Sequence, residues 1–312
     1  MSALSVTVTG ATGLLGPSLV RSLLQRQAQV TVLTRDPERA RDKLGDVEAV
    51  GWELMSEPAP AHALAGRDAV VHLAGAPVAQ RWSTKAKQAI RDSRAVGTSN
   101  LVAGLASIQG ADLAQRPRTL VSSSAIGYYG PHGEEPLDED APPGRDFLAE
   151  VCVAWEAAAA TAGSELGMRA VQVRTGVVLD RSGGALSKML PPFRLGVGGP
   201  VAGGRQYMSW IHAEDVVGMM LDALEDERWS GPINATAPEP VTNRAFSKAL
   251  GKALARPSLL PVPGAALRLM YGEMAEIVTS GARVVPAKPL VLGYEFAHPQ
   301  LDEALRSAIA AD

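Results

Sequence analysis

The sequence has a single cysteine, few aromatic residues, no surplus of basic charge and no long apolar run. Cys152 alone cannot form an internal disulfide, and it suits a reducing compartment, so a cytoplasmic location is expected. No histidine or cation stands beside it in sequence, which leaves it as a small buried apolar residue. Lys and Arg total 30 against 33 Asp and Glu, a net charge of -3, whereas a nucleic-acid binder normally shows a basic face. No apolar stretch approaches the roughly 18 residues of a membrane helix, and no basic region precedes an apolar one as in a secretory signal. The five histidines and one cysteine show no metal-ligand spacing, so no metal site is expected. What is present is 312 residues at 46% hydrophobic content, enough to bury a large core as one large domain or two lobes.

The most informative stretch is an alternating apolar strand, Leu4 to Thr9, running into Gly10-Ala-Thr-Gly13-Leu-Leu-Gly16. A helical pattern follows, with Leu15, Leu19 and Leu23 four residues apart on one face. Strand, glycine turn and helix in that order are the setting in which a glycine motif means dinucleotide binding. Gly10 permits the tight turn, Gly13 lets backbone approach a diphosphate, and Gly16 lets the helix pack close on the strand. The amides and positive dipole end of the helix then hold the phosphates, and Pro17 fits its first turn. A second strand, Gln29 to Thr34, ends at Arg35. An NAD site usually puts an acid there for the ribose 2′-OH; this chain has Thr34 and Arg35, with Arg39 a turn further on. A guanidinium can donate two parallel bonds to a 2′-phosphate, so NADP(H) is expected rather than NAD(H). The competing reading is a solvated arginine paired with Asp36 or Glu38.

Strand and helix patterns then alternate. Val47–Trp52 reads as a short strand, and Asp68 to Ala74 as a buried parallel strand with apolar residues on both faces. A helix from Thr84 to about Ser107 turns Ile90, Ala95, Leu101 and Leu105 inward. Arg118–Ser122, Met168–Leu179 and Gly231–Ala235 read as strands, and Phe147 to about Ala162 as a helix. This order predicts an α/β fold: a Rossmann doubly wound parallel sheet with helices on both faces and ligands at the carboxyl ends of its strands. Seven glycines between residues 182 and 206 suggest a mobile or tightly turning segment. Tyr207–Ile211 returns to a strand pattern, and His212-Ala-Glu-Asp215 opens a helix with its acids well placed for the dipole. From Pro240 the pattern is α-rich, with Thr242 as an N-cap. The expected division is residues 1–180 as the cofactor domain, rejoined by 207–237, with 181–312 forming a smaller α-rich substrate-binding lobe and C-terminal domain.

Taken together the motifs resemble the short-chain dehydrogenase/reductase superfamily in its extended, epimerase-like form. The carriers are Gly10-x-x-Gly13-x-x-Gly16, His72-Leu-Ala-Gly75, Gly97-Thr98-x-Asn100-Leu101, Ser122-Ser-Ser-Ala125 and Trp210-Ile-His-x-Glu-Asp215. The tail, with Leu260-Pro-Val-Pro263, Gly272-Glu-Met274, Ser280-Gly-x-Arg283-Val and Gly293-Tyr-Glu-Phe296, is similar to the atypical sugar-nucleotide-epimerase-like subfamily with its own short C-terminal domain. That resemblance implies an NADP-binding oxidoreductase or nucleotide-sugar epimerase acting on a small molecule, sugar-like or phosphorylated. It implies that Gly10, Thr12, Gly13, Leu14 and Leu15 surround the diphosphate and that Arg35 meets the 2′-phosphate. Leu73, Ala74 and Gly75 would line the adenine-ribose side. Ser122 and Ser123 would approach the nicotinamide ribose, and Ser124 would occupy the catalytic serine position. A homodimer is compatible with the pattern.

One element of that family is missing. Ordinary members carry Tyr-x-x-x-Lys on the helix after the serine strand, where the lysine lowers the tyrosine pKa and binds the ribose. Counting from Trp155-Glu156 puts Leu148 and Cys152 at those positions, and neither can do that work. Tyr128 and Tyr129, just past the serine strand, are alternative proton donors, with turn packing as the competing role for each. Ser124 is either a donor or a buried hydroxyl. Lys188 either folds over the nicotinamide to replace the cation or sits on the surface. Arg81 and Trp82 follow the Gly75 loop and either meet a substrate phosphate or carboxylate or serve packing and surface roles. His72 is expected as a satisfied core histidine, and His212 as an organiser of its turn. Two functions follow: an NADP(H)-dependent enzyme without the standard dyad, or an NADPH-binding sensor or structural module without turnover. A scaffold using the fold alone is a weaker third.

Overall fold

The computed structural model describes residues 4–108 and 115–310. Strand β1 (Ser5–Thr9), helix α1 (Gly16–Gln25), β2 (Gln29–Thr34), α2 (Pro37–Leu44), β3 (Glu48–Gly51), β4 (Ala69–His72) and α3 (Thr84–Ala106) form the first half. β5 (Thr119–Ala125), β6 (Pro136–Leu137), α4 (Phe147–Ser164), β7 (Arg169–Thr175), β8 (Val177–Leu179) and α5 (Gly184–Arg194) follow. Then come β9 (Tyr207–Met208), β10 (Trp210–His212), α6 (Ala213–Glu225), β11 (Gly231–Ala235), β12 (Val241–Thr242) and α7 (Asn243–Ala253). The chain ends with α8 (Gly264–Tyr271), α9 (Glu276–Thr279), β13 (Arg283–Val284), α10 (Ala287–Leu292) and α11 (Leu301–Ala310).

Seven strands make one parallel sheet in the order β3-β2-β1-β4-β5-β7-β11. All five residues of β1 and all four of β4 are buried, which a strand covered on both faces requires. Leu19, Val20 and Leu23 of α1 and Val216, Met219 and Met220 of α6 pack one face. Leu101 and Leu105 of α3 with Ala159 and Ala162 of α4 pack the other. The sheet is therefore doubly wound, as expected. Strand order reverses between β1 and β4, and the glycine turn leaves β1 at that switch point, the place where open α/β sheets bind their ligands.

Three details differ from the sequence reading. The strand expected over Met168–Leu179 is two, because Gly176 sits where the chain changes partners. β7 pairs with β5 and β11, whereas β8 pairs with β10. A Cβ on Gly176 would stand 2.4 Å from the Ser209 carbonyl oxygen, so only glycine lets the chain pass there. The glycine-rich 182–206 segment contains α5; a Cβ on Gly199 would stand 2.1 Å from the Leu260 carbonyl oxygen, whereas Gly203 turns at φ +85° in open space. On α3, Ala95 is only half-buried; Ser93, Gly97 and Thr98 share the inward side with Ile90, Leu101 and Leu105.

The C-terminal part is strapped onto the sheet by polar contacts. Buried Asp215, at the start of α6, accepts the Ala297 and His298 amides at 2.7 and 3.1 Å. The Tyr294 hydroxyl donates to the Asp215 carbonyl at 3.0 Å. Thr242 caps α7 by accepting from the Ala245 amide. Among the described residues, no helix is long and apolar enough to cross a membrane.

Gly104, buried in the last turn of α3, gives a test of this packing. Helix propensity alone favours alanine there by about 1 kcal/mol. A Cβ, however, would lie 2.3 Å from the Ala59 carbonyl oxygen. Gly104→Ala should lower stability in urea denaturation by about 1–3 kcal/mol through overpacking, against the propensity trend.

Candidate active site

The turn after β1 is shaped by how closely backbones approach. Gly10 has φ +68°, and a Cβ on it would stand 2.6 Å from the Ala74 nitrogen and the Leu73 carbonyl carbon. The Gly13 amide donates to the Gly10 carbonyl at 2.9 Å, and Gly13 itself is exposed. Gly16 does not face the strand as expected. Its Cα lies on the turn itself, where a Cβ would be 2.2 Å from the Ala11 oxygen. Half-buried Leu15 is the N-cap of α1, and the Leu14 side chain reaches the backbone at Gly183 and Gly184. Lys43 of α2 donates to the Thr12 carbonyl at 2.8 Å. The loop Leu73-Ala74-Gly75 thus lies directly against the glycine turn, and Gly75 is exposed.

At the end of β2, the Thr34 hydroxyl accepts from the Asp36 amide, and the Asp36 carboxylate caps α2 by accepting from Arg39. Arg35 is exposed and makes no hydrogen bond or ion pair among the described residues. The reading in which it pairs with Asp36 or Glu38 therefore falls away.

On β5, Ser122 and Ser124 share a buried face, and Ser123 is half-buried on the other, as a period of two requires. The Ser122 hydroxyl donates to the Ser123 carbonyl. The Ser124 hydroxyl donates to Glu156 Oε1 at 2.6 Å. Arg174 clasps the same carboxylate with two bonds of 2.8 Å, and the pair is almost fully withdrawn from solvent. The Tyr128 ring lies 3.5 Å over the Arg174 guanidinium. Tyr129 is fully buried; its hydroxyl accepts from Arg174 at 2.9 Å and donates to Asn234 at 2.7 Å. Burial outweighs the nearby Arg174 and pushes the Tyr129 phenol up to about 12. Tyr129 is thus held as a structural group, while half-buried Tyr128 has no hydrogen bond on its hydroxyl.

Leu148 and Cys152 lie together under Gly127, the thiol 3.8 Å from where a Cβ on that glycine would stand. Burial, then the Glu156 charge, pushes the thiol up to about 12, so it stays protonated. Arg94 of α3 lies beside this point, its guanidinium 3.4–3.5 Å from the Cβ position of Gly75 and 4.9 Å from the Trp155 ring centroid. Lys188 is exposed and donates to the Ala79 carbonyl at 2.8 Å, tying α5 to the loop after β4. Trp82 packs edge-on against Phe147 and donates to the Val78 carbonyl at 3.0 Å. Arg81 lies near Gly272 in the C-terminal part, and Lys87 pairs with Glu273 at 2.6 Å across the same gap.

His72 is the satisfied core histidine expected, bonded to Thr9 at 2.6 Å and Thr98 at 3.0 Å. His212 caps α6. The fold also brings His298 onto it, ring centroids 3.8 Å apart, so that His212, Glu214 and His298 offer three ligand atoms within 4.8 Å. Their hydrogen bonds argue against a cation there. His212 Nδ1 accepts from the Glu214 amide, so the neutral ring carries its hydrogen on Nε2 and has no free lone pair.

Sequence reading gave no role to Arg174, Arg94 or Glu156. Signals existed for both arginines. Arg174 is a charge in a buried strand, and Arg94 falls four residues from both Ile90 and Thr98 on the inward side of α3.

Residues 6–235 match the NAD dependent epimerase/dehydratase family, and residues 262–308 match a domain of unknown function (DUF1731). An Arabidopsis thaliana protein described as an epimerase family protein SDR39U1 homolog, chloroplastic, is 40% identical over 306 residues, covering 98% of this chain and 87% of its own length. The crystal structure of human epimerase family protein SDR39U1 with NADPH superposes with a TM-score of 0.86 at 33% identity, covering 98% of this chain and all of that one. A nucleoside-diphosphate sugar epimerase structure from Corynebacterium glutamicum gives a TM-score of 0.75 at 33% identity, covering 97% of this chain and 57% of its own.

Burial of His72, and secondarily the Arg94 charge, lowers its pKa from 6.5 to about 4. Between those values the unfolded chain binds a proton that folded His72 refuses, so stability is lost as pH falls from 6.5 towards 4. In urea denaturation across that window, His72→Gln should flatten the fall by about 1.4 kcal/mol per pH unit relative to the parent. Equal slopes would show that His72 is not held neutral.

Proposed function

The chain belongs to the NAD dependent epimerase/dehydratase family, and from that premise we propose that it is an NADP(H)-dependent oxidoreductase or nucleotide-sugar epimerase lacking the Tyr-x-x-x-Lys dyad. The observation that carries the reading is the cradle at the switch point. Its backbone leaves no room for a side chain at Gly10, and the unpaired Arg35 guanidinium stands at the end of the next strand. These residues fit a dinucleotide: Gly10, Thr12, Gly13, Leu14 and Leu15 around the diphosphate, Arg35 on the 2′-phosphate, and Leu73–Gly75 with Ser123 along its length. Residues 1–180 with 207–237 form the cofactor-binding part, which β11 supports by joining the edge of the large sheet. The substrate, a sugar-like or phosphorylated small molecule, binds against residues 181–312, where Arg81 and Gly272 face each other.

The nicotinamide, when bound, exchanges hydride at its C4. The chain's own residues hold and move the proton. Tyr128, with a hydroxyl free of other bonds, gives a proton to the substrate oxygen or takes one from it. The Tyr128 ring rests on the Arg174 guanidinium, which fixes the orientation of its hydroxyl. Ser124 spends its hydrogen on Glu156, so it offers lone pairs to a substrate hydroxyl and positions it. Tyr129 and Lys188 are left out of the chemistry because their polar atoms are bonded elsewhere. The rival, an NADPH-binding module without turnover, draws on Leu148 and Cys152 at the dyad positions. Stereospecific hydride exchange at C4 across a substrate panel separates the two.

Arg35→Ala should weaken NADPH binding by about 10- to 100-fold and leave NADH nearly unchanged, as loss of a charge-assisted bond worth about 1.5–3 kcal/mol requires. Calorimetry showing equal losses for both coenzymes would end the 2′-phosphate assignment. On any accepted substrate, Tyr128→Phe should lower kcat by about 100-fold or more with NADPH affinity kept. Parental turnover in that variant would exclude Tyr128 as the donor.

A further inference from the structure

The Arg174 charge is already matched by Glu156, so the fixed cation that the lysine supplies in ordinary members has no replacement in that network. Arg94 offers one. It is half-buried, and no carboxylate pairs with it among the described residues. Its Nη1 spends both hydrogens, on the Ala76 and Ile90 carbonyls, each at 3.1 Å. The Nε hydrogen and the two on Nη2 have no acceptor among the described residues. Two carbonyl bonds offset only part of the hydration that such an arginine loses, and a ligand with acceptor oxygens would complete the remaining donors.

Its position identifies the ligand. The guanidinium lies flat against exposed Gly75, at the carboxyl end of β4, and over Trp155, the neighbour of Glu156 on α4. Arg94 and Cys152 are close enough for each charge to act on the other's ionisation, and Cys152 occupies the missing lysine's place. A dinucleotide whose 2′-phosphate is at β2 crosses β1 and β4 and carries its nicotinamide half towards β5. Arg94, against Gly75 at the near edge of that path and over Trp155 of α4, would then face the second half.

We propose that Arg94 binds the nicotinamide-side ribose, its open guanidinium edge donating to the vicinal hydroxyls from α3 as the family's lysine does from α4. The proposal rests on the NADP(H) reading above. A planar fork of donors matches two adjacent oxygens better than an ammonium does. The opposing reading is a clamp whose whole work is to hold Ala76 to α3.

Titrating the full chain with NADPH and with adenosine 2′,5′-bisphosphate, which lacks the nicotinamide half, separates these. Arg94→Met should weaken NADPH by about tenfold or more, the loss of a charged hydrogen bond, and change the bisphosphate by less than about twofold. Arg94→Lys, which keeps charge but not the fork, should weaken NADPH by a smaller factor with the bisphosphate unchanged. It carries the test if thermal melting shows Arg94→Met unfolded. Unchanged binding of both ligands overturns the proposal, and so does an equal loss of both, the signature of a clamp on the turn. A parent that binds neither ligand overturns the NADP(H) reading itself. Arg35→Ala must weaken both ligands, which shows that the bisphosphate reports the adenine half.

Discussion

The buried clasp between Arg174 and Glu156 organises the carboxyl ends of β5 and β7. Through it, β7 and α4 are joined by two bonds, Ser124 of β5 is fixed by the shared carboxylate, and both tyrosines are seated on the guanidinium. The network continues through Tyr129 to Asn234 of β11, whose amide donates to Glu139. A buried pair of this kind is weak as a source of net stability but severe when half-broken, because the remaining charge stays buried and unmatched. Its value lies in geometry: side chains from four elements cannot shift independently.

The cofactor end works on the opposite principle. There, the backbone is bare of side chains at Gly10 and Gly13, and among the described residues the Arg35 cation has no partner. One end of the crevice is fixed by saturated hydrogen bonds, and the other is kept open by unsatisfied groups. A long, polar, two-ended ligand needs both: a rigid floor for chemistry and unpaired donors for phosphate.

What could be read from sequence divides along the same line. The β1 turn, the Arg35 position, the Thr242 cap and the core role of His72 were legible, since each depends on a period or on residues a few places apart. The β7–β8 break was not, because it is set by contact of Gly176 with Ser209, far along the chain. The roles of Ser124, Tyr129 and Lys188 were left open for the same reason: their partners are Glu156, Asn234 and Ala79, and nothing local specifies them. Arg94 had a visible signal in the helical period of α3, but a lone charge on an inward face is meaningful only once its neighbours are known to lack a carboxylate.

The Asp215 carboxylate sits in the part of the chain that carries the family match, yet the amides it accepts belong to Ala297 and His298, within the C-terminal DUF1731 segment. The two sequence-defined regions are therefore joined through a buried polar contact. Detaching the second would take both amide donors away from the Asp215 carboxylate and the Tyr294 hydroxyl away from its carbonyl. Truncations or swaps that part the two regions forfeit these bonds.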